Sequence, residues 1–442
     1  MFLALSLAII AGSSVPALAQ EHRPPPVVQR TASPGPDIAA IQGRMKSAVE
    51  EDGFSGALLV VSQGRVIVRD GYGLANREEK IANTPATIFG IGSTPIDFTK
   101  AAILLLEQEG TLHLSDTIGT YLQGVPKDKQ AITLEHLMTG ASGLKNFHGS
   151  PQDPNPDHTW IDRAEAVRRI LSSELLFEPG TGNEHSHSAF GLLAAIVELV
   201  SGQSYEAFLK ARFFDPLGMH DTGFFGEPID AARLAVGYGR KSGTGINAPP
   251  YWGKTSWLVM GSGGMTSTLD DLRTFIDAIR GGKILPREAT RKYMYRPGDV
   301  LAGGDMHGYE ILIGLSRDPG SLILLVNNCY DGRGPNPSFE QLFQDLLRLS
   351  APSEGPPPFT IGVRFDLQQA GVVRIEGVVE GMPGQAAGLK AGDVIRSING
   401  KFDENDPLGI LSSLLRHDEP IVFEIERGGA RQKISVTPRK RP

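Results

Sequence analysis

The 442-residue chain is predicted to fold as an α+β protein, with one antiparallel sheet flanked by helices and a small β-rich module after it. Two aliphatic runs, Gly56–Val61 and Val66–Asp70, enclose a Ser-Gln-Gly-Arg turn and predict a hairpin. Segments with helical periodicity follow, and the apolar run Ser321–Asn327 then predicts a strand. Because strands lie at both ends, we expect the hairpin and the last strands to share one sheet.

The helical segments have apolar residues at three- and four-residue spacing, and a glycine closes several of them. Together they predict a helical subdomain between the strands. They are Thr94–Glu109 before Gly110, Ala164–Ser173, Ala189–Ser201 before Gly202, Tyr205–Phe213, and Thr268–Arg280 before Gly281-Gly282.

Composition divides the chain into five parts. Residues 1–19 contain an apolar run and the triplet Ala17-Leu18-Ala19, which predict a cleaved signal peptide and a periplasmic or secreted protein. The charge-free start leaves an uncleaved anchor as an alternative, although the run is shorter than the ~20 apolar residues of a spanning helix. The other parts are a proline-rich tether at 20–37, the α+β domain at 38–349, a linker at 350–358 and the module at 359–438.

Charge and cysteine content exclude some classes of protein. The formal net charge is -7 and the charges are spread along the chain, so the basic footprint of a nucleic-acid-binding protein is missing. After signal removal, no segment is long and apolar enough to predict a membrane span. The single cysteine, Cys329, excludes an internal disulfide.

The stretch from Ile91 to Gly110 begins like the entrance to an active-site helix. Ser93 lies at the predicted helix start, where a serine can act as a nucleophile or can cap the helix. Ile96 stands one turn later, at a position where catalysis would need a base. These residues alone leave both roles of Ser93 open.

Five ordered segments share one family pattern: residues 54–76, 87–118, 132–144, 188–224 and 261–275. Together they resemble the class C β-lactamase and penicillin-binding-protein family of serine hydrolases. The resemblance implies three motifs: Ser-x-x-Lys at a helix start, Tyr-x-Asn on a loop, and Lys/His-Thr/Ser-Gly on a strand. In the family the serine attacks a carbonyl, lysine and tyrosine move protons, and the strand motif borders the oxyanion hole.

All three motifs are altered in this chain. The first is Ser93-Thr94-Pro95-Ile96, with isoleucine in place of lysine. The second is His185-Ser186-His187, in which histidines replace both tyrosine and asparagine. The best match to the third is Leu301-Ala302-Gly303-Gly304, which lacks the cation. The resemblance therefore assigns the nucleophile to Ser93 and substrate contacts to Gly303 and Gly304, without the usual proton acceptors.

A substitute catalytic set can be predicted from these replacements. His185 takes the position that faces the nucleophile in the family, and imidazole accepts a proton near neutral pH. Asp97 lies one turn after Ser93 and could orient that imidazole, which gives a Ser93, His185 and Asp97 hypothesis. Asp97 could equally be a solvated first-turn acid. The alternative function is an inactive family member that binds peptide or cell-wall ligands, because loss of a general base costs roughly 10²–10⁴-fold in rate.

Further residues are predicted to contact the substrate. They are His187, Tyr251 and Trp252 as a wall, and Lys254 as an electrostatic donor. Lys254-Thr255-Ser256 imitates the third motif, but it precedes Gly263-Gly264 and not the last strand, so it is interpreted as a decoy. Lys100 is interpreted as a surface or groove residue, and a bend back toward Ser93 is the alternative.

The histidines raise the question of a metal site. His185 and His187, with His148 or His158, could offer imidazoles to a metal ion. Their spacing matches no known metal signature, and polar loop histidines are the simpler interpretation. No metal and no cofactor are therefore predicted.

Residues 359–438 have glycines where a helix stop or a tight turn needs them, in Gly388-Leu389, Gly392-Asp393-Val394-Ile395 and Asn399-Gly400. The pattern resembles a PDZ domain of the type found beside bacterial periplasmic proteases. A helix at Asp406–Leu415 and strands at Ile421–Arg427 and Gln432–Thr437 are expected to complete it.

The PDZ resemblance implies a binding edge for peptide C-termini. Such domains accept a chain end by strand addition, with its carboxylate on backbone amides. The matching residues are Phe359, Thr360, Ile361 and Gly362, followed by an edge strand that begins at Val363. The alternative is a domain whose groove is filled by the protein's own chain or that serves only as a spacer. The final Arg-Lys-Arg is interpreted as a solvated tail. The predicted partners are thus a small-molecule or peptide substrate and a peptide C-terminus.

Overall fold

The computed structural model describes most of the two predicted domains. The predicted signal peptide, most of the tether, most of the linker and His148 lie outside the described residues. Those residues are 36–147, 156, 158–238, 246–304, 307–316, 318, 320–329, 337–350, 359–366, 373–402, 409–415 and 418–441.

The α+β domain contains ten helices and ten strands among its described residues. The helices are α1 (Ile38–Glu51), α2 (Pro95–Gln108), α3 (Leu134–Thr139), α4 (Arg163–Ser172), α5 (His187–Ser201), α6 (Tyr205–Leu209), α7 (Asp215–Leu217), α8 (Leu269–Arg280), α9 (Arg287–Tyr293) and α10 (Pro337–Ser350). The strands are β1 (Gly56–Ser62), β2 (Arg65–Tyr72), β3 (Leu74–Asn76), β4 (Ile81–Ala82), β5 (Phe89–Gly90), β6 (Gly223–Phe224), β7 (Met265–Ser267), β8 (Val300–Gly304), β9 (Glu310–Leu315) and β10 (Leu322–Asn327).

The central sheet is five-stranded and antiparallel, in the order β2-β1-β10-β9-β8. The prediction that the first hairpin and the last strands share one sheet is therefore confirmed. In the β1–β10 ladder Gly56 lies opposite Asn327, and in the β8–β9 ladder Gly304 lies opposite Glu310. The strand that matches the third family motif is β8, which lies at the edge of the sheet.

Helices cover both faces of this sheet. Leu59 of β1 belongs to the larger core, with residues of α2, α5 and α8 such as Phe98 and Phe275. Its neighbours Leu58 and Val60 point to the opposite face and pack with α1 and α10. The strand is buried on both sides because successive side chains alternate between the faces.

The sequence prediction missed α1 and α10 and shifted some helix ends. It also missed the shorter α3, α7 and α9. The two long helices show the apolar spacing that would have identified them, with buried Ile41, Met45 and Ala48 on α1 and buried Phe339 and Phe343 on α10. Helix α5 begins at His187, two residues before the predicted start. His187 is therefore on the first helical turn and not on the preceding loop.

Among the described helices, none is long and apolar enough on its own to cross a membrane. Helix α5 and the segment Tyr205–Leu217 pass the test of length and composition only as a pair, which is bent by 77°.

The carboxy-terminal module is a small β-rich fold. Its apolar core includes Ile375, Ile395 and Phe423. A five-stranded sheet has the order β12-β13-β14-β15-β16, and a separate pair joins β11 to β17. The strands are β11 (Phe359–Thr360), β12 (Val363–Asp366), β13 (Val373–Val378), β14 (Val394–Ile398), β15 (Ile421–Arg427), β16 (Ala430–Val436) and β17 (Arg439–Lys440), and the helices are α11 (Pro383–Ala386) and α12 (Gly409–Leu414).

Candidate functional site

Ser93 lies in the turn between β5 and α2. The residue at the N-cap of α2 is Thr94, and no side chain caps this helix end. The backbone amide of Ile96 donates to the carbonyl of Ser93 at 3.1 Å. Within the described residues, the half-buried Ser93 hydroxyl has no hydrogen bond, so the capping interpretation of Ser93 is not supported.

The edge strand β8 passes directly beside Ser93. A Cβ atom on Gly303 would lie 3.1 Å from the amide nitrogen of Ser93 and 3.2 Å from Oγ1 of Thr94. A Cβ atom on Gly92, whose φ is +51°, would lie 2.5 Å from the nitrogen of Gly304. The close approach of the two backbone segments therefore requires glycine. An edge strand also keeps one row of backbone groups free of the sheet ladder, beside the serine.

His185 and His187 are neighbours with different environments. Their ring centroids are 5.0 Å apart and the planes are almost perpendicular. His185 is exposed on the loop, whereas His187 is 9% exposed at the start of α5 and packs edge-on against Phe147. The predicted base and the predicted substrate contact thus lie side by side.

Lys100 belongs to the same group of side chains. Its Nζ atom lies 5.8 Å from the ring centroid of Phe190, and the His185 ring lies 6.1 Å from the same centroid. The sequence interpretation allowed Lys100 to lie in the groove but did not name His185 as its neighbour. One signal could have indicated it, because Lys100 follows Ile96 by four residues and so shares a helix face with it.

The pKa of His185 is lowered from its ordinary value of 6.5. Partial burial of the ring is the main cause, the positive charge of Lys100 adds to it, and Glu184 opposes it. Although the residue as a whole is exposed, its ring is flanked by His187 and Phe190, which accounts for the desolvation. The imidazole is therefore neutral, and able to accept a proton, at neutral pH.

Asp97 does not orient an imidazole, which corrects the sequence hypothesis. The residue is 9% exposed, and its Oδ2 atom accepts a 3.0 Å hydrogen bond from the hydroxyl of Tyr295. Burial raises the pKa of Asp97, while Lys100 and the Tyr295 hydrogen bond oppose the rise. The solvated alternative for Asp97 is also wrong. The first turn of α2 places this carboxyl inside the domain, where Tyr295 is its hydrogen-bond partner.

A pocket of about 180 Å³ opens beside the predicted wall. Its lining includes Trp252 and Lys254, which the sequence analysis names as substrate contacts, and also Trp160 and His158. Tyr251 is 58% exposed and is not among the lining residues. The pocket thus combines aromatic surfaces with one cationic side chain.

The pocket wall is connected to the serine segment by ring contacts. Trp252 lies 4.5 Å from His307 and 6.0 Å from Tyr309, measured between ring centroids. The Tyr309 ring packs against Gly90, where a Cβ atom would be 3.0 Å from it. Two contacts therefore connect the pocket wall with β5, the strand that ends three residues before Ser93.

The imitation of the third motif is part of the pocket loop. Thr255 is buried, and its hydroxyl donates to the carbonyl of Gly264 at 2.6 Å. The hydroxyl of Ser256 donates to the carbonyl of Thr159 at 2.7 Å. Both side chains stabilise the loop and neither lies on a strand, in agreement with the decoy interpretation. Among the described residues, no group of three or more His, Cys, Asp or Glu side chains is arranged to hold a metal ion.

In the carboxy-terminal module, β12 is the edge strand that the sequence predicts. Val363 lies opposite Val378, and the amide of Val379 donates to the carbonyl of Gly362 at 2.8 Å. With this register, the backbone groups of Val363 face the open edge. Phe359 and Thr360 do not belong to this open edge, because they form β11 and pair with β17. Of the predicted peptide contacts, Ile361, Gly362 and Val363 therefore lie at the open edge or lead to it.

Comparison with known proteins identifies both parts of the chain. A family model described as Beta-lactamase matches residues 39–321, well over half of the chain. The chain belongs to the β-lactamase family. A second model, described as PDZ domain, matches residues 360–437, so this member has a C-terminal PDZ domain.

Individual relatives agree with this assignment. The Putative penicillin-binding protein PbpX of Bacillus subtilis (strain 168) is 29% identical over 298 residues, which cover 64% of this chain and 73% of the relative. Penicillin-binding protein 4* of the same organism is 30% identical over 203 residues, and the match spans 45% of each chain, less than half of that relative. The crystal structure of D-amino acid amidase from Ochrobactrum anthropi SV3 superposes with a TM-score of 0.60 at 23% identity, covering 70% of this chain and 98% of the amidase, which shows the shared fold.

Proposed function

We propose that this β-lactamase family member is an exported hydrolase that attacks an ester, amide or peptide carbonyl through Ser93. The observation that supports this most is the contact between Gly303 and the backbone amide of Ser93. A carbonyl oxygen placed there would meet the serine amide on one side and the backbone of an edge strand on the other. Such donors stabilise the oxyanion of acyl transfer by several kcal/mol when they are held in place. Export rests on the signal pattern of residues 1–19.

His185 is the general base in this proposal. Its neutral state at pH 7 fits the role, and it takes over from the absent lysine and tyrosine of the family motifs. Lys100 contributes positive charge to the same surface. Asp97 has no part in proton transfer, because its carboxyl is buried with Tyr295.

The pocket beside Trp252 and Lys254 binds the acyl part of the substrate. Its volume of about 180 Å³ is below the ~300–1,000 Å³ of sites that enclose a whole small molecule. It therefore fits a group of side-chain size, held by aromatic stacking, while Lys254 attracts an anionic substituent.

One observation favours the second candidate, an inactive family member that binds peptide or cell-wall ligands. Ile96 packs against the larger core at the position where the family has its lysine. The neighbouring carboxyl of Asp97 accepts a hydrogen bond from Tyr295. A protein with this arrangement keeps a ligand cleft and lacks the usual proton carriers. In either case we propose that the PDZ domain binds peptide C-termini along β12.

Covalent labelling distinguishes the hydrolase from the inactive binding protein. Wild-type protein, Ser93→Ala and the control Ser173→Ala are incubated with a fluorescent phosphonate and a fluorescent penicillin. Ser173 is a half-buried serine whose hydroxyl donates to the carbonyl of Ile170. Labelling that disappears only in Ser93→Ala supports the hydrolase. Folded wild-type protein that reacts with neither probe supports the binding protein.

A further inference from the structure

The last strand of the PDZ domain is basic and lies beside its peptide-binding loop. Arg439 and Lys440 form β17, with Thr360 opposite Arg439 and Phe359 opposite Lys440. This corrects the interpretation of the final basic residues as a solvated tail, since two of them form a ladder. Their side chains are exposed. The strand thus adds positive charge to the segment that leads into β12.

The guanidinium of Arg439 is directed along this loop. Its Nη2 atom lies 2.6 Å from the sulfur of Met382. The same Met382 side chain packs on Gly362, where a Cβ atom would lie 2.2 Å from the Cβ of Met382, and Gly362 has a φ of +68°. Met382 therefore connects the guanidinium with the glycine that precedes the binding edge.

The loop itself is held in a fixed orientation. The carbonyl of Ile361 accepts from the amide of Gly384 at 2.8 Å, and the carbonyl of Gly362 accepts from Val379 at 2.8 Å. Both carbonyls are thus occupied by the segment that contains Met382. The backbone amide of Val363 faces the open edge of β12, one residue after Gly362. A carboxylate bound at this amide would lie one residue from Gly362, on which the Met382 side chain that contacts the Arg439 guanidinium packs.

We propose that Arg439 recognises the terminal carboxylate of a peptide bound along β12, so that the domain selects free chain ends and not internal segments. Arginine is suited to this role because its planar guanidinium forms two parallel hydrogen bonds with a carboxylate. The inference rests on the proposed peptide-binding function and names its anchoring residue. Lys440 and the exposed Arg441 increase the attraction for an anionic chain end.

The role of Arg439 is tested on the full-length protein by comparing how free and amidated peptides bind to wild type and to variants. Short labelled peptides with randomised ends are screened by fluorescence anisotropy, and the tightest binder is then compared with its amidated form. The proteins are wild type, Arg439→Gln, Arg439→Lys and the control Arg431→Gln. Arg431 is an exposed arginine on β16, and its replacement removes the same charge. Thermal unfolding of each variant establishes that it is folded.

We expect Arg439→Gln to weaken binding of the free peptide by about ten-fold and Arg431→Gln to change it by less than about two-fold. The amidated peptide should bind wild type and Arg439→Gln equally, because it offers no carboxylate. Arg439→Lys should give an intermediate loss, which a general packing defect would not produce. Binding of the free peptide should also weaken as salt is added.

Other outcomes overturn the inference in separable ways. If peptides bind and free ends are preferred, but Arg439→Gln matches Arg431→Gln, another group recognises the carboxylate and only this inference fails. If free and amidated peptides bind wild type equally, peptide binding stands without carboxylate recognition. If the folded protein binds no peptide in the screen, the peptide-binding function fails as well.

Discussion

Gly303 of the edge strand lies so close to Ser93 that a Cβ atom on the glycine would be 3.1 Å from the serine amide nitrogen. The same Cβ atom would lie 3.1 Å from the carbonyl oxygen of Ile91. These neighbours are main-chain atoms, which cannot rotate away as a side chain could. The distance between strand and serine is therefore sensitive to a single methyl group.

Gly303→Ala is accordingly expected to move β8 away from Ser93 by a few tenths of an ångström. Displacement of one oxyanion donor should slow phosphonate labelling of Ser93 by about ten-fold or more. The control is Gly43→Ala on α1, where a Cβ atom meets nothing within 4 Å. That change should leave labelling intact and raise the free energy of unfolding by roughly 0.5–1 kcal/mol. Equal labelling of both variants would contradict an oxyanion role for the strand.

The environment of His185 predicts how reactivity depends on pH. The base must be neutral, and burial together with Lys100 lowers its pKa below 6.5, so reactivity should persist to a lower pH than for an ordinary histidine. Lys100→Gln removes the positive charge and should move the His185 pKa and the acid limb of labelling to higher pH. NMR titration, with the signal assigned by His185→Gln, measures the pKa independently of activity.

An exposed lysine provides the control for this shift. Lys46→Gln on α1 removes the same charge from a side chain that is 73% exposed, and should leave the His185 titration unchanged. An unchanged or lowered His185 pKa in Lys100→Gln would show that Lys100 does not act on the imidazole. A shifted pKa without any change in the labelling profile would show that His185 is not the base.

The pair formed by Asp97 and Tyr295 predicts a structural role and not a catalytic one. Asp97→Asn keeps the acceptor for the Tyr295 hydroxyl and removes a charge that burial disfavours, so stability at neutral pH should be retained or improved. Labelling of Ser93 should change by less than about two-fold, whereas the same replacement in a catalytic triad costs about 10⁴. A loss of that size would restore Asp97 to the catalytic set.

Tyr295→Phe tests the same hydrogen bond by removing its donor. Removal of the hydroxyl leaves a buried carboxyl without its donor, which should lower the free energy of unfolding by about 1–3 kcal/mol. Chemical denaturation measures this loss. A matched change is Tyr251→Phe, whose side chain is largely exposed and should lose almost nothing. If both variants unfold at the same denaturant concentration, the hydrogen bond contributes no net stability.

Local patterns predicted the sheet and its main helices, because hydrophobic periodicity and turn residues act over a few positions. Strands β1 and β10 and helices α2 and α8 lie within two residues of their predicted ends. The order of the motifs also placed Ser93 and the strand of Gly303 in one site. Their contact could be predicted because two aligned backbone segments define it.

The side-chain partners could not be predicted in the same way. Tyr295 and Asp97 are 198 residues apart, and no local pattern relates them. Helix spacing places Asp97 near Ser93 and so predicts that it orients an imidazole. Its carboxyl instead lies on the face of α2 that is turned toward the core. The neighbourhood of Lys100 and His185 depends on how α2 packs against α5. Such contacts follow from tertiary packing, which single-sequence periodicity does not encode.

Glu310 provides a prediction about stability near the edge strand. It lies opposite Gly304 of β8, and Nδ2 of Asn327 donates to its Oε2 atom at 3.3 Å. Burial raises its pKa from 4.5 to about 7, while the Asn327 hydrogen bond opposes the rise. The folded protein therefore holds a proton that the unfolded chain releases above about pH 4.5, so the folded state loses stability as the pH rises from about 4.5 to 7.

Glu310→Gln should remove this loss, which amounts to at most about 3 kcal/mol. Urea unfolding measures the free energy of unfolding at about pH 5 and about pH 8. The value for the variant relative to wild type should be higher at about pH 8 than at about pH 5. The control Glu376→Gln, on an exposed side chain of β13, should show no such difference between the two pH values. A pH-independent effect of Glu310→Gln would mean that the carboxyl is already ionised in the fold.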